Sequence, residues 1–262
     1  MKRLILIIAA ALLVAAGVFC GFKYYFDVYL PNKEITDAEK EQREYYEQLK
    51  PDSVSATGSA DADGDNGEYQ SGRSPSLEKL EAANNDSVGW ITVDGTVIDY
   101  PVVQAEDNDF YLDHGVDGQY NNGIGCPFLD YRCKGDFSGF NSILYAHHLQ
   151  GYRALFSDIT LYSDREYMEQ HPAGTLVTKN GAHRVRFFAY MTVPNPSFAY
   201  NTDPGNKDGQ NRYLGDIFEN AEYTSAYTLE ELKKNDNLRL LLLSTCSYEF
   251  WNARGVLAGV IE

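Results

Sequence analysis

Leu238 to Arg254 reads LRLLLLSTCSYEFWNAR. Leu238 and Leu240 to Leu243 put five apolar side chains into six positions, interrupted only by Arg239. A run this short and this apolar, with no period-two alternation, is expected of a strand buried on both faces. It stops abruptly at Ser244, Thr245 and Cys246, so a thiol is presented at a strand end. Arg254 follows eight residues later and opens RGVLAGVIE, a second apolar strand. If the two strands pair, the guanidinium returns beside the sulfur, where a fixed cation favours a thiolate or holds an oxyanion.

A thiol nucleophile also needs a base. Of the five histidines, only His147 and His148 stand at the end of a strand-like run, Ser142 to Tyr145. Side chains alternate along extended backbone, so only one of the two can address Cys246. Parity gives that role to His147, which shares a face with Tyr145, and turns His148 away or into a neighbouring loop. One Cys, one His and one Arg far apart in sequence form a constellation suited to thiol acyl transfer. A lone Cys after an apolar run is also commonly an inert small core residue, and on the residues alone that reading stays open.

Composition narrows the classes. The 262 residues carry a formal charge of −16, with 44% hydrophobic residues and 20 Tyr. Residues 77–262 hold 14 Lys and Arg against 26 Asp and Glu, a formal −12, and nucleic-acid binding would call for a basic face instead. A domain of about 185 residues can bury a full core. Four cysteines occur, and Cys20 falls in the apolar N-terminal stretch. The other three, Cys126, Cys133 and Cys246, are an odd number, so an extracellular domain leaves at least one thiol without an internal partner. Whether Cys126 and Cys133 are bridged stays open.

Along the chain, residues 4–22 carry no charge and follow Lys2 and Arg3. That length spans a bilayer with the basic flank inside, so residues 1–23 are expected to form an uncleaved signal anchor with the bulk of the chain outside the cell. Residues 24–50 are expected to form a polar juxtamembrane helix, with Ile35, Tyr45, Tyr46 and Leu49 as its few apolar contacts. Residues 51–76, rich in Ser, Gly, Ala and Asp, form a linker. Asp61, Asp63 and Asp65 within it imitate a calcium loop, but Asn66 stands at the turn glycine's position and Gly72 at the final glutamate's.

Residues 77–262 read as mostly strand. Ser74 and Pro75 cap a short helix through Leu80. Val88 to Val93 and Thr96 to Val103 flank Asp94-Gly95, a hairpin signal. Pro127 to Leu129 and Ser142 to Tyr145 add strands, and Thr175 to Lys179 pairs with His183 to Val193 around Asn180-Gly181. Ser163 with Glu166, and Thr228 with Glu231, are capping boxes. The long stretch between Val193 and Leu238 is expected to wall a groove beside the thiol. Short strands with Gly-rich turns predict a closed barrel or a sandwich.

LSTC at 243 to 246, the Arg eight residues on, and Tyr145-Ala146-His147 together resemble the signature of sortases, cysteine transpeptidases of Gram-positive cell surfaces. Asn85 to Leu112, NDSVGWITVDGTVIDYPVVQAEDNDFYL, is similar to the opening of class B sortases in particular. Ala146 departs from the family, which usually has Gly before the histidine. The resemblance implies an eight-stranded β-barrel with a few peripheral helices, one of them in the Val193 to Leu238 connection. It implies catalysis by Cys246, His147 and Arg254, with Asn108, Leu112, Tyr145 and Ser244 lining the peptide groove. It also implies two partners, surface proteins bearing a C-terminal sorting motif and an amine of a cell-wall precursor, with no metal or organic cofactor. On general grounds Leu112 is a core residue and Ser244 an ordinary strand-end hydroxyl. Two rival functions share parts of this pattern: a thiol hydrolase of cell-wall peptides, and a surface-anchored binding module in which Cys246 is merely buried.

Overall fold

The computed structural model describes residues 17, 20, 21, 23, 25, 30–51, 76–149, 151–247 and 251–262. The expected anchor lies almost wholly outside the described residues, as do residues 52–75 of the linker, including its three spaced aspartates and Ser74-Pro75. Among the described residues, no helix is long and apolar enough to cross a membrane. The chain divides into two compact units, Met1–Arg43 and Glu44–Glu262. A helix spans Leu30–Leu49, and its last turn belongs to the second unit, where Tyr46 and Leu49 are buried and Tyr46 meets Tyr100 edge-on at 6.1 Å.

Among the described residues nine strands follow: β1 Ser87–Val93, β2 Asp99–Val103, β3 Phe128–Leu129, β4 Asn141–Tyr145, β5 Ala173–Thr178, β6 Gly181–Pro194, β7 Tyr223–Thr224, β8 Leu240–Cys246 and β9 Ala253–Ile261. Their order is β5-β1-β2-β3-β4-β8-β9-β6, and a further β5–β6 pairing closes these eight into a barrel. Closure removes the free edges that an open sheet would expose. The two-residue β7 pairs with β6 at Ala189 and Tyr190, beyond the stretch of β6 that pairs with β5. β2–β3 and β4–β8 are parallel and the remaining pairs antiparallel.

Local chemistry accounts for the departures from expectation. The β1–β2 connection is longer than a two-residue hairpin because Thr96 Oγ1 donates to Val93 O at 2.9 Å and accepts from Ile98 N at 3.1 Å, delaying β2 to Asp99. Gly95 sits at φ +72°, and a Cβ there would approach the His171 ring to 2.6 Å. The first short helix is Glu78–Ala83, one turn later than expected. The helix Arg165–Gln170 is capped by Asp164, whose carboxylate accepts from Glu166 N at 2.9 Å, and not by Ser163. Thr228 and Glu231 do form a capping box, on the helix Leu229–Lys234.

β8 is apolar on both faces because both are covered. Leu240 and Leu242 share a core cluster with Val256, Ala258 and Val260 of β9 and with Tyr213, Leu214 and Ile217 of the helix Lys207–Asn220. Leu241 and Leu243, on the alternate face, are fully buried toward the barrel interior. Burying each such side chain is worth about 1.5–3 kcal/mol, so β8 is a rigid support for what stands at its end.

Candidate active site

Register and parity bring the candidate residues together. Tyr145 pairs with Ser244 across β4–β8, and Cys246 pairs with Arg254 across β8–β9. Directly paired residues point to one side of a sheet. Ser244 and Cys246 share the parity of Leu240 and Leu242, and Arg254 that of Val256, so all four side chains lie on the barrel's outer face. There they line a groove of about 540 Å³, within the size range of small-ligand sites. Its floor is the ends of β4, β8 and β9. One wall comes from the β2–β3 connection through Asn108, Asp109 and Leu112, the other from the β6–β7 connection through Asn195, Pro196 and Tyr200.

All seven residues singled out in the sequence line this groove: His147, Cys246 and Arg254, with Asn108, Leu112, Tyr145 and Ser244. Leu112 is 36% exposed, so it is groove surface and not core. Its carbonyl lies 2.7 Å from His147 Nε2. A carbonyl oxygen only accepts, so Nε2 carries the proton in this arrangement and Nδ1 remains as the atom that can take or give one. His147 O accepts from Phe156 N at 3.2 Å, which fastens the backbone that carries the ring. His148 lies outside the groove in the neighbouring loop, bridged to Leu155, with its Nδ1 3.2 Å from Cys246 O.

Cys246 and Arg254 are both half-buried. Arg254 Nη1 donates to Ala253 O at 3.0 Å, and among the described residues no carboxylate pairs with the guanidinium. Its charge is thus available to an anion at the sulfur or at an acyl oxygen. The remaining described thiols of the domain are differently placed. Cys126 is fully buried with its thiol pushed up to about 12 by burial, and Cys133 is pushed up to about 11 by burial. Neither lines the groove, and both are free thiols, so no bridge joins them.

Beneath the groove lies a polar network that sequence reasoning missed. The buried Asp130 carboxylate accepts from Arg132 Nε at 2.8 Å and Nη2 at 2.6 Å, and from Tyr145 OH at 3.0 Å. Burial works against its charge, yet the Arg132 hydrogen bonds hold its carboxyl below the usual range. Arg132 Nη2 also donates to Tyr200 O at 3.2 Å, and Tyr200 OH meets Ser244 Oγ at 3.1 Å. Ser244 is therefore more than a strand-end hydroxyl: it ties β8 to the β6–β7 wall. The three consecutive carbonyls 199, 200 and 201 accept from Tyr213 OH, Arg132 Nη2 and Asn141 Nδ2. Asn108 Oδ1 accepts from Tyr131 N at 3.1 Å, which pins the opposite wall. The sequence signal available was an Asp and an Arg two residues apart just after a short strand.

Thiol, imidazole and a guanidinium without a carboxylate partner among the described residues, all in a preformed groove, suit acyl transfer from a peptide. No family model matches the chain. Sortase B of Listeria monocytogenes is 31% identical over 174 residues, covering 66% of this chain and 68% of that protein. The structure of Clostridium perfringens sortase B matches with a TM-score of 0.65 at 27% identity, covering 71% of this chain and 100% of the other. A Staphylococcus aureus sortase B–substrate complex matches with a TM-score of 0.63 at 27% identity, covering 71% of this chain and 83% of the other.

Proposed function

The chain belongs to the class B sortases, and from that premise we propose which of its side chains perform the sorting reaction. The protein is a cysteine transpeptidase of the cell-wall sorting type. Cys246 passes its thiol proton to His147 Nδ1 and attacks the backbone carbonyl of a threonine in a C-terminal sorting motif, forming an Sγ–C bond and an oxyanion that the Arg254 guanidinium stabilises. His147 gives a proton from Nδ1 to the leaving amine as the peptide C–N bond breaks. The amine of a cell-wall precursor then attacks the thioester, passes its proton to Nδ1, and the C–S bond breaks to return the thiolate. Leu112 O keeps the imidazole in the orientation that this shuttle requires.

One observation carries this assignment: the Cys246–Arg254 pair stands at the end of a groove that also holds His147, while Cys126 and Cys133 lie elsewhere with raised thiol pKa values. Staphylococcus aureus sortase B has been captured with substrate, and a sortase B with triglycine. In this chain the same two partner classes, a sorting peptide and an amine, meet at Cys246, with Asn108, Leu112, Tyr145 and Ser244 contacting the peptide. Residues 4–22, behind Lys2 and Arg3, anchor the domain at the outer face of the membrane. The test is ligation: purified protein, a panel of sorting-motif peptides and a panel of amines should give an amine-dependent product, and release of free acid alone would favour a hydrolase.

A further inference from the structure

Two adjacent histidines follow β4, and the acyl-transfer steps use one of them. The other, His148, is half-buried, with Nδ1 3.2 Å from the carbonyl oxygen of Cys246. Because a carbonyl only accepts, Nδ1 is the donor. The ladder explains why this carbonyl needs one. Ser247 N donates to Ala253 O at 3.0 Å, so Ser247 and Ala253 form a hydrogen-bonded pair and Cys246 with Arg254 the adjoining non-hydrogen-bonded pair. The Cys246 carbonyl therefore points away from β9, toward the side where β4 has already ended at Tyr145.

The ring that meets it is mounted on a fastened loop. His148 bridges to Leu155, Leu149 N donates to Ser157 Oγ at 3.1 Å, and Leu155 N donates to the buried Tyr100 OH at 2.9 Å. Across β9, Asn195 N donates to Asn252 O at 3.1 Å, steadying the Arg254 side of the hairpin. Cys246 is the last residue of its strand, and the peptide after it is held from its N–H side alone by the Ser247 N to Ala253 O bond; the His148 ring holds the carbonyl side, so that the two bonds together fix the backbone from which the Cβ–Sγ vector springs.

We propose that His148 is a positioning residue for the nucleophile: its imidazole N–H fixes the peptide that ends β8 and so sets the direction from which Sγ meets the acyl carbonyl. The proposal rests on the assignment of Cys246 as the nucleophile. It acts on the chemical step and not on peptide binding, because His148 does not line the groove.

The experiment compares wild type with His148→Leu, His148→Asn and His148→Gln in full-length protein, using a sorting-motif peptide that wild type acylates. An Asn amide places a donor where Nδ1 stands, whereas a Gln amide reaches the Nε2 position. Acylation at saturating peptide should fall about tenfold or more in the Leu and Gln variants with KM nearly unchanged. The Asn variant should retain most of the rate, and Cys246 should remain open to alkylation by iodoacetamide in all of them. Equal rates in the Leu variant and wild type, or equal loss in Asn and Gln, would overturn the proposal. If the Leu variant does not fold, the Asn and Gln pair decides it alone. Failure of wild type to form an acyl-enzyme with any peptide would instead overturn the assignment of Cys246.

Discussion

Cys246 and Arg254 face each other across the last rung of the β8–β9 ladder, in register with each other and with no residue between them. Their proximity is a property of backbone pairing, carried by strands whose other residues are buried core.

That placement makes Arg254→Lys informative. The ammonium keeps the charge but loses the planar fork. Transpeptidation kcat should fall about a hundredfold, the usual loss for an oxyanion donor. Stability should change by less than about 1 kcal/mol, since the residue is only half-buried and lacks a carboxylate partner among the described residues. Steady-state kinetics with chemical denaturation checks both, and near wild-type turnover would remove the guanidinium from the chemistry.

The three thiols of the domain should differ in reactivity. With burial raising Cys126 to about 12 and Cys133 to about 11, their thiolate fractions at pH 8 are roughly 1 in 10,000 and 1 in 1,000. Brief iodoacetamide treatment followed by peptide mapping should therefore modify Cys246 before either. Prior modification at Cys126 or Cys133 would show that the domain opens faster than the groove reacts.

Much of this arrangement is legible in the chain because it follows from strand chemistry. The unbroken Leu240–Leu243 run announces a strand covered on both faces, and Asn180-Gly181 announces the turn between β5 and β6. The seven groove residues stand where short motifs place them. What cannot be read depends on distant segments. The helix Lys207–Asn220 is expected in its connection only through the family resemblance: Gly209 and Gly215 weaken its own pattern, and it is held by burying Tyr213, Leu214 and Ile217 against the barrel. The Asp130–Arg132 pair meets Tyr200 only because the β6–β7 connection folds back over 68 positions. Parity keeps His148 out of the groove and leads it to the neighbouring loop, where it bridges to Leu155, but it does not reveal the contact of its ring with the Cys246 carbonyl, which depends on how that loop folds back.

Asp130 predicts an acid sensitivity. Its carboxyl is held below its ordinary value in the folded state, so the unfolded chain binds the proton more readily. The stability it contributes is present above the unfolded carboxyl range, near pH 4, and is lost as pH falls through the folded value. Urea titrations at pH 7, 5, 4 and 3 should show a decline below about pH 4 that is shallower in an Asp130→Asn, Arg132→Gln double variant. An identical decline in that variant would place the acid-sensitive groups elsewhere, with Asp158, paired to Arg153, the next to test.

The N-terminal stretch carries its own expectation. If Lys2 and Arg3 stay inside and residues 4–22 span the bilayer, as proposed, intact-mass analysis of protein extracted from membranes should find the first residues still attached. A shortened chain in the extracellular fraction would contradict anchoring.

His147 should be indispensable to ligation. Replacing it by Ala removes the only imidazole that lines the groove among the described residues, so amine-dependent ligation should fall by roughly a hundredfold or more, with folding unchanged by circular dichroism. Ligation at the wild-type rate would assign the proton transfers to another group.

The most direct test is intact-mass analysis of the protein mixed with a sorting-motif peptide, before and after addition of an amine. Wild type should gain the mass of one acyl group, mapped to Cys246, and lose it when the amine is added as the ligated product appears. Cys246→Ala should gain nothing. An acyl adduct on the Ala variant, or one on wild type that maps to Cys126 or Cys133, would contradict the account.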